Sequence, residues 1–284
     1  MPRVVPQTAQ SLVRSLLHRG AGLVNQILNP RFTELQRSTR GMLNPIVYRR
    51  LYRLARRLPD LPIIEVGGAT GCASIALALG MKESGKRSRL IVVEKMEGGT
   101  RGDVGDYDAN LEVVRQNFRR YGVEDQIILF PHQLTLENGP EVVALAGGPI
   151  AAFMSDADGH LDRDFALFWP RLIPGGAIVV DDYSNRRDTF RPISARHPQG
   201  GTKRLLTYRL LNQLMAWGLM RARGRFRDTV FGVKPEGADF GRFDPAVCAT
   251  IRGGVAGEWA QVGVGRGRRR RWSPRWSVRG SLWF

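Results

Sequence analysis

The stretch Ile63–Gly80, IIEVGGATGCASIALALG, decides how the rest of the chain is read. An apolar run ends at Glu65 and Val66, turns through Gly67, Gly68 and Gly71, and enters a second apolar run of small residues. The first run has the length of a buried strand and the second that of a helix. Glycines at the junction permit a tight turn. They also let a ligand approach the backbone with no Cβ in the way.

Outward from this stretch, strand and helix patterns alternate. RLIVVE (89–94), DQIILF (125–130), PIAAFMSD (149–156) and GAIVVDD (176–182) read as strands. DANLEVVRQNFRRYG (108–122), DRDFALFWPRL (162–172) and TKRLLTYRLLNQLMAWG (202–218) read as helices. The alternation implies βαβ units and a Rossmann-like, doubly wound, mostly parallel α/β sheet. LMRARGRF (219–226) and DTVFGVKP (228–235) suggest a closing antiparallel hairpin. Before this body, SLVRSLLHRGAGLVNQIL (11–28) and NPIVYRRLYRLARRLPDLP (44–62) carry helical apolar spacing. Three regions result: a basic helical segment over 1–57, the α/β body over 58–245, and a Gly-, Arg- and Trp-rich tail over 246–284 with no period, expected to be disordered.

The formal charge of +17 follows the same division. Residues 1–57 hold eleven basic residues and one acid, 246–284 hold eight and one, and 58–245 hold equal numbers of each sign. Basic ends are compatible with nucleic acid or an anionic membrane surface. Arginine outnumbers lysine 38 to 5, however, and solvated ends are the favoured reading. The N-terminal helices also offer a face for a homo-oligomer. Cys72 and Cys248 cannot build a disulfide framework and read as reduced thiols of a cytoplasmic protein. No apolar stretch is long enough to span a bilayer, and Arg14, His18 and Arg19 interrupt any signal-peptide pattern.

In an open parallel sheet, ligands bind beyond the carboxyl ends of the strands. The first strand ends in Glu65 and the glycine turn, and the second in Glu94, a carboxylate placed to accept hydrogen bonds from ribose hydroxyls. A dinucleotide fingerprint fails here, because Ala69 and Cys72 stand where its later glycines belong. The pattern of acid, glycine turn and second acid resembles the class I S-adenosylmethionine-dependent methyltransferases. FALFWPRLIPGGAIVVDDY (165–183) is similar to that family's helix, L-x-P-G-G turn and fifth strand, and QNFRRYGVEDQIILF (116–130) to its run into the third. The likeness covers about residues 45–235. It implies that Gly67, Gly68 and Gly71 lie against S-adenosylmethionine with Glu65 beneath. It implies that Glu94 holds the ribose, that Gln133 and its neighbours His132 and Leu134 stand near adenine, and that Asp156 also lies at the cofactor.

The fourth strand ends in SDADGH and the fifth in VVDDY, so adjacent strand ends bring several carboxylates together. Facing carboxylates repel unless a cation sits between them, and hard oxygen ligands suit Mg²⁺. The arrangement resembles the cation-dependent O-methyltransferases of the catechol and macrolide-sugar types. That resemblance implies Asp156, Asp181 and Asp182 as metal ligands and His160 as the base that takes the acceptor's proton. The spacing leaves Asp158 as an alternative to Asp156, and helix capping as an alternative role for Asp158 and Asp162. The function expected is methyl transfer to a hydroxyl of a small molecule, such as a sugar or natural-product intermediate. The alternatives are an RNA methyltransferase that uses the basic ends, and a non-catalytic binding module on the same fold.

Overall fold

The computed structural model describes residues 29–97, 107–185 and 203–267. The amphipathic stretch 11–28, the arginine-bearing segment 186–202 and the end of the tail lie outside the described residues.

Short apolar runs become strands because both faces of the sheet are covered. β1 (Ile63–Val66), β2 (Leu90–Val93) and β4 (Ile150–Ser155) are buried along their whole length. With β3 (Ile127–Phe130), β5 (Leu172–Val180), β6 (Arg221–Phe226) and β7 (Thr229–Val233) they form one seven-stranded sheet in the order β3-β2-β1-β4-β5-β7-β6. β1 to β5 run parallel, and β7 lies antiparallel between β5 and β6. The Rossmann-like sheet and its closing hairpin follow the sequence pattern. One detail differs: Gly175 and Gly176 fall inside β5, at a register irregularity against β4, rather than in a turn before the strand.

Successive strand residues point to opposite faces, so the core divides in two. Ile63, Leu90, Val92, Met154 and Val179 face one layer of helices. That layer is α1 (Pro30–Thr39), α2 (Pro45–Arg57), α3 (Cys72–Glu83) and α4 (Tyr107–Arg120). Ile64, Val66, Ile91, Val93, Phe153, Ile178 and Val180 face the other. It is made of α5 (Gly139–Ala146), α6 (Leu161–Phe168), α7 (Lys203–Ala216) and α8 (Pro245–Gly267).

Two boundaries fall elsewhere than the sequence implied. Residues 30–57 do not stand apart from the body: Phe32, Leu35, Val47, Tyr48, Leu51 and Ala55 share one core cluster with β1, β2 and α3. Asn44 starts α2 by accepting a hydrogen bond from the Ile46 amide at 3.0 Å, with Pro45 following as a preformed first residue. The expectation of an irregular tail from 246 is corrected for residues 245–267, which are helical. Asp244 supplies the start signal, accepting from the Ala246 amide at 2.8 Å, and Cys248 and Val255 bury one face. That apolar spacing is sparse among glycines, so composition concealed it.

α3 is buried from Cys72 to Met81 because it is covered by the sheet on one side and by α2 on the other. A helix apolar all round requires such a double cover. At Gly80 an added Cβ would lie 2.4 Å from the Tyr52 carbonyl oxygen of α2 and 2.9 Å from the Ala55 Cβ. In an open helix, glycine to alanine is favourable by about 1 kcal/mol. Here Gly80→Ala is expected to destabilise the protein by about 1–3 kcal/mol through overpacking, measured by urea denaturation. A variant as stable as the wild type would contradict the close approach of α2 and α3.

Candidate active site

Four strands end at the same level. Val66 pairs with Val93 of β2 and Ser155 of β4, and Ser155 with Val180 of β5. The next residue of each strand extends the ladder by one bond. Gly67 N donates to Val93 O at 2.9 Å, Glu94 N to Phe130 O at 3.1 Å, Asp156 N to Val66 O at 2.8 Å and Asp181 N to Ser155 O at 3.1 Å. The glycine turn and the three acids therefore stand side by side along one edge of the sheet.

The turn needs its glycines. Gly67 and Gly71 have φ of +96° and +87°, a region L-residues avoid. A Cβ on Gly67 would meet the Asp156 carbonyl oxygen at 2.4 Å, and one on Gly71 the Phe118 ring at 2.5 Å. Ala69 also has positive φ, at +49°, and its amide donates to Glu94 Oε2 at 2.7 Å. Asn117 Nδ2 holds the Thr70 carbonyl at 2.9 Å. β2 and α4 thus clamp the loop from opposite ends.

Glu65 is fully buried beneath the loop. Its Oε2 accepts from Ser74 Oγ at 2.5 Å, and its Oε1 has no hydrogen-bond partner among the described residues. Burial pushes the carboxyl up to about 8, partly opposed by the Ser74 hydrogen bond and reinforced by the charge of Glu94.

At the neighbouring strand ends, Asp156, Asp181 and Asp182 each place one carboxylate oxygen within 4.8 Å of the others. Asp182 holds a left-handed backbone, φ +61°, which aspartate tolerates better than most residues. A cation of the chain itself stands among them. Lys203 Nζ lies 2.5 Å from Asp182 Oδ2 and 3.4 Å from Asp156 Oδ1. Arg204 Nε donates to Asp182 Oδ1 at 3.0 Å, and Thr229 Oγ1 to Asp181 Oδ1. Burial and like-charge neighbours raise the Asp156 and Asp181 carboxyls, the latter to about 6, while Lys203 and Arg204 hold Asp182 low despite its burial.

Asp158 is used differently from Asp156. Its two oxygens pair with Arg163 Nη1 and Nη2 at 2.8 and 3.1 Å, and it accepts from the His160 amide at 3.1 Å. Arg163 also pairs with the buried Asp164 at 2.8 Å, whose other oxygen takes Ser155 Oγ at 2.6 Å. Asp158 is thus committed to a structural network, and Asp156 is the member that joins the cluster. Asp162 pairs with Arg252 of α8. His160 is partly buried at the start of α6, beside Asp158. Gln133 has an exposed side chain beyond β3, with its carbonyl accepting from Asn138. His132 stacks edge-on to Phe130, and Leu134 is buried. Sequence reasoning did not reach Lys203, Arg204, Thr229 or Asn117, whose partners lie 21 to 48 residues away.

Glu65 makes the site's polar burial testable. Its proton is retained in the folded chain and lost in the unfolded chain between the ordinary value of 4.5 and about 8. Across that window the unfolded state binds fewer protons, so stability falls as pH rises, by up to about 1.4 kcal/mol per pH unit for one such group. Glu65→Gln, which copies the neutral acid, is expected to remove Glu65's share and flatten the decline in denaturation midpoint between pH 5 and pH 8. An unchanged slope would mean that Glu65 is ionised in the fold.

Residues 64–183 match a family model described as a methyltransferase domain. An O-methyltransferase of Streptomyces olivaceus, named for the 4'-position of 8-demethyl-8-(2,3-dimethoxy-alpha-L-rhamnosyl)-tetracenomycin C, is 29% identical over 143 residues. The match covers 43% of this chain and 52% of that enzyme, about half of the relative's length. Among solved structures, an O-methyltransferase from Bacillus cereus in complex with S-adenosylhomocysteine superposes with a TM-score of 0.53 at 16% identity, covering 75% of this chain and 97% of that one. An S-adenosylhomocysteine-bound methyltransferase of Podospora anserina gives 0.55 at 15% identity, covering 83% and 100%. At such identities the structures speak for the fold alone. Among the described residues no helix is long and apolar enough to cross a membrane. The family match, the strand order and the acid-flanked glycine turn agree: residues 64–183 are similar to a methyltransferase domain and are carried on a Rossmann-like fold.

Proposed function

We propose that this chain transfers a methyl group from S-adenosylmethionine to a hydroxyl of a small molecule. The observation that carries the reading is the alignment of the four strand ends, with the glycine turn at one and the carboxylate cluster at its neighbours. When bound, S-adenosylmethionine supplies a methyl group activated by its sulfonium. Gly67 and Gly68 leave the backbone open to the cofactor. Glu94, already oriented by the Ala69 amide, receives the ribose hydroxyls. Glu65 keeps the floor of the turn polar from below, with Oε1 still available for a donor.

The acceptor then lies over β4 and β5. Asp156, Asp181 and Asp182 are the oxygen donors that would hold a hard divalent cation such as Mg²⁺, which would lower the pKa of a coordinated hydroxyl. His160, beside Asp158 at the same edge, is the candidate for taking the acceptor's proton. The Streptomyces olivaceus relative points to a sugar hydroxyl on a natural product as the acceptor class. Methyl transfer neutralises charge at sulfur, so an oriented and desolvated site favours it.

The test is calorimetric titration of the protein with S-adenosylhomocysteine. The wild type is expected to bind, and Glu94→Ala to bind at least tenfold more weakly, about 1.4 kcal/mol or more. A melting temperature taken alongside separates loss of the ribose contact from loss of the fold. A folded wild type that does not bind the cofactor product overturns the reading. Equal affinity of the folded variant overturns the role of Glu94.

A further inference from the structure

The carboxylate cluster already contains a cation of its own. Three acids from adjacent strand ends converge within 4.8 Å, and the ammonium between them is that of Lys203, on the first turn of α7. Nζ stands 2.5 Å from Asp182 Oδ2, 3.4 Å from Asp156 Oδ1 and 3.4 Å from the Asp156 carbonyl. Two of the three carboxylates a divalent ion would require are thus already held by this ammonium.

The surroundings are shaped for this lysine. Gly159, at φ +84°, leaves its side-chain position clear. A Cβ there would lie 3.3 Å from Lys203 Cγ and 3.3 Å from the Lys203 carbonyl oxygen. The lysine stem therefore crosses the chain just past β4 where a side chain would crowd it. Residue type also matters. The chain uses arginine 38 times and lysine five times, yet the residue among these acids is a lysine. A compact ammonium acts among converging carboxylates as a point charge, while a planar guanidinium pairs with them through a fixed fork, as Arg163 does with Asp158 and Asp164. Arg204, the next residue, lies outside the cluster and takes the far oxygen of Asp182 at 3.0 Å. That second oxygen is thereby withheld from any bidentate ligation.

We propose that Lys203 is a resident counter-ion that competes with a divalent cation for Asp156, Asp181 and Asp182. In the resting protein the ammonium offsets the acids' repulsion and holds Asp156 and Asp182 in place. A metal enters only as Lys203 withdraws. The occupancy of the site is thus set by one side chain on α7, immediately after the 186–202 segment. The inference concerns the cluster itself and stands whether or not the chain transfers methyl groups.

The test is Mn²⁺ binding to the full chain, followed by calorimetry and by the loss of the free-ion electron paramagnetic resonance signal. Lys203→Met is expected to bind Mn²⁺ at least tenfold more tightly than the wild type. Its melting temperature is expected to fall in metal-free buffer and to recover with Mn²⁺, while the wild type responds far less. Asp181→Asn added to Lys203→Met is expected to abolish the gain, which ties it to the cluster. Lys203→Gln replaces Lys203→Met if the latter does not fold. Equal or weaker Mn²⁺ affinity in a folded variant overturns the competition. So does a gain that survives Asp181→Asn, since the ion would then sit elsewhere.

Discussion

Everything at this site depends on the register of four neighbouring parallel strands. Each strand is continued past its last paired residue by a backbone hydrogen bond that its next amide donates to the strand beside it. Those bonds fix where Gly67, Glu94, Asp156 and Asp181 leave the sheet, at the ~4.8 Å spacing of hydrogen-bonded strands. A slip of one residue in β1 would exchange Glu65 with Val66 and send a carboxylate into the opposite apolar layer. The same closeness dictates Gly67, because the Asp156 carbonyl stands where its side chain would be. The turn and the acid cluster are therefore one construction joined back to back.

Within a few residues the chain solves the problem of buried carboxylates in two ways. Asp158 and Asp164 share Arg163, whose planar fork reaches both and whose Nη1 also donates to the Leu134 carbonyl. That network is closed, and its charges are matched by hydrogen bonds with good geometry, as buried ion pairs require. Asp156, Asp181 and Asp182 have a looser arrangement, one ammonium among three acids with two contacts at 3.4 Å. The closed network anchors the start of α6. The looser one faces the edge where ligands of such sheets bind.

The sequence reading reached those parts of the site that rest on local signals. Glycines 67 and 71 announce a left-handed turn, the apolar runs announce buried strands, and acids at four run ends announce a charged edge. Parallel strand order converts those ends into neighbours without further information. What escaped was set by partners distant along the chain. The choice between Asp156 and Asp158 is made by Arg163, and the neutralisation of the cluster by Lys203, neither of which carries any periodic signal. The helix over 245–267 was hidden because its glycines mask a sparse apolar face. The boundary at 57 was drawn where charge composition changes, while burial runs straight across it.

That last feature separates two units that are easily taken for one. The recognisable domain begins at Ile64, but the folded one does not. The face of α3 away from the sheet is roofed by α2, and Tyr48 and Cys72 both crowd the position a side chain on Gly41 would take. Cys72 is the first residue after the glycine turn. Helices encoded ahead of the matched region thus form the outer wall of the helix on which that turn is mounted. Variation in that N-terminal segment is a route by which a lineage could retune the turn while leaving every residue of the recognised domain untouched.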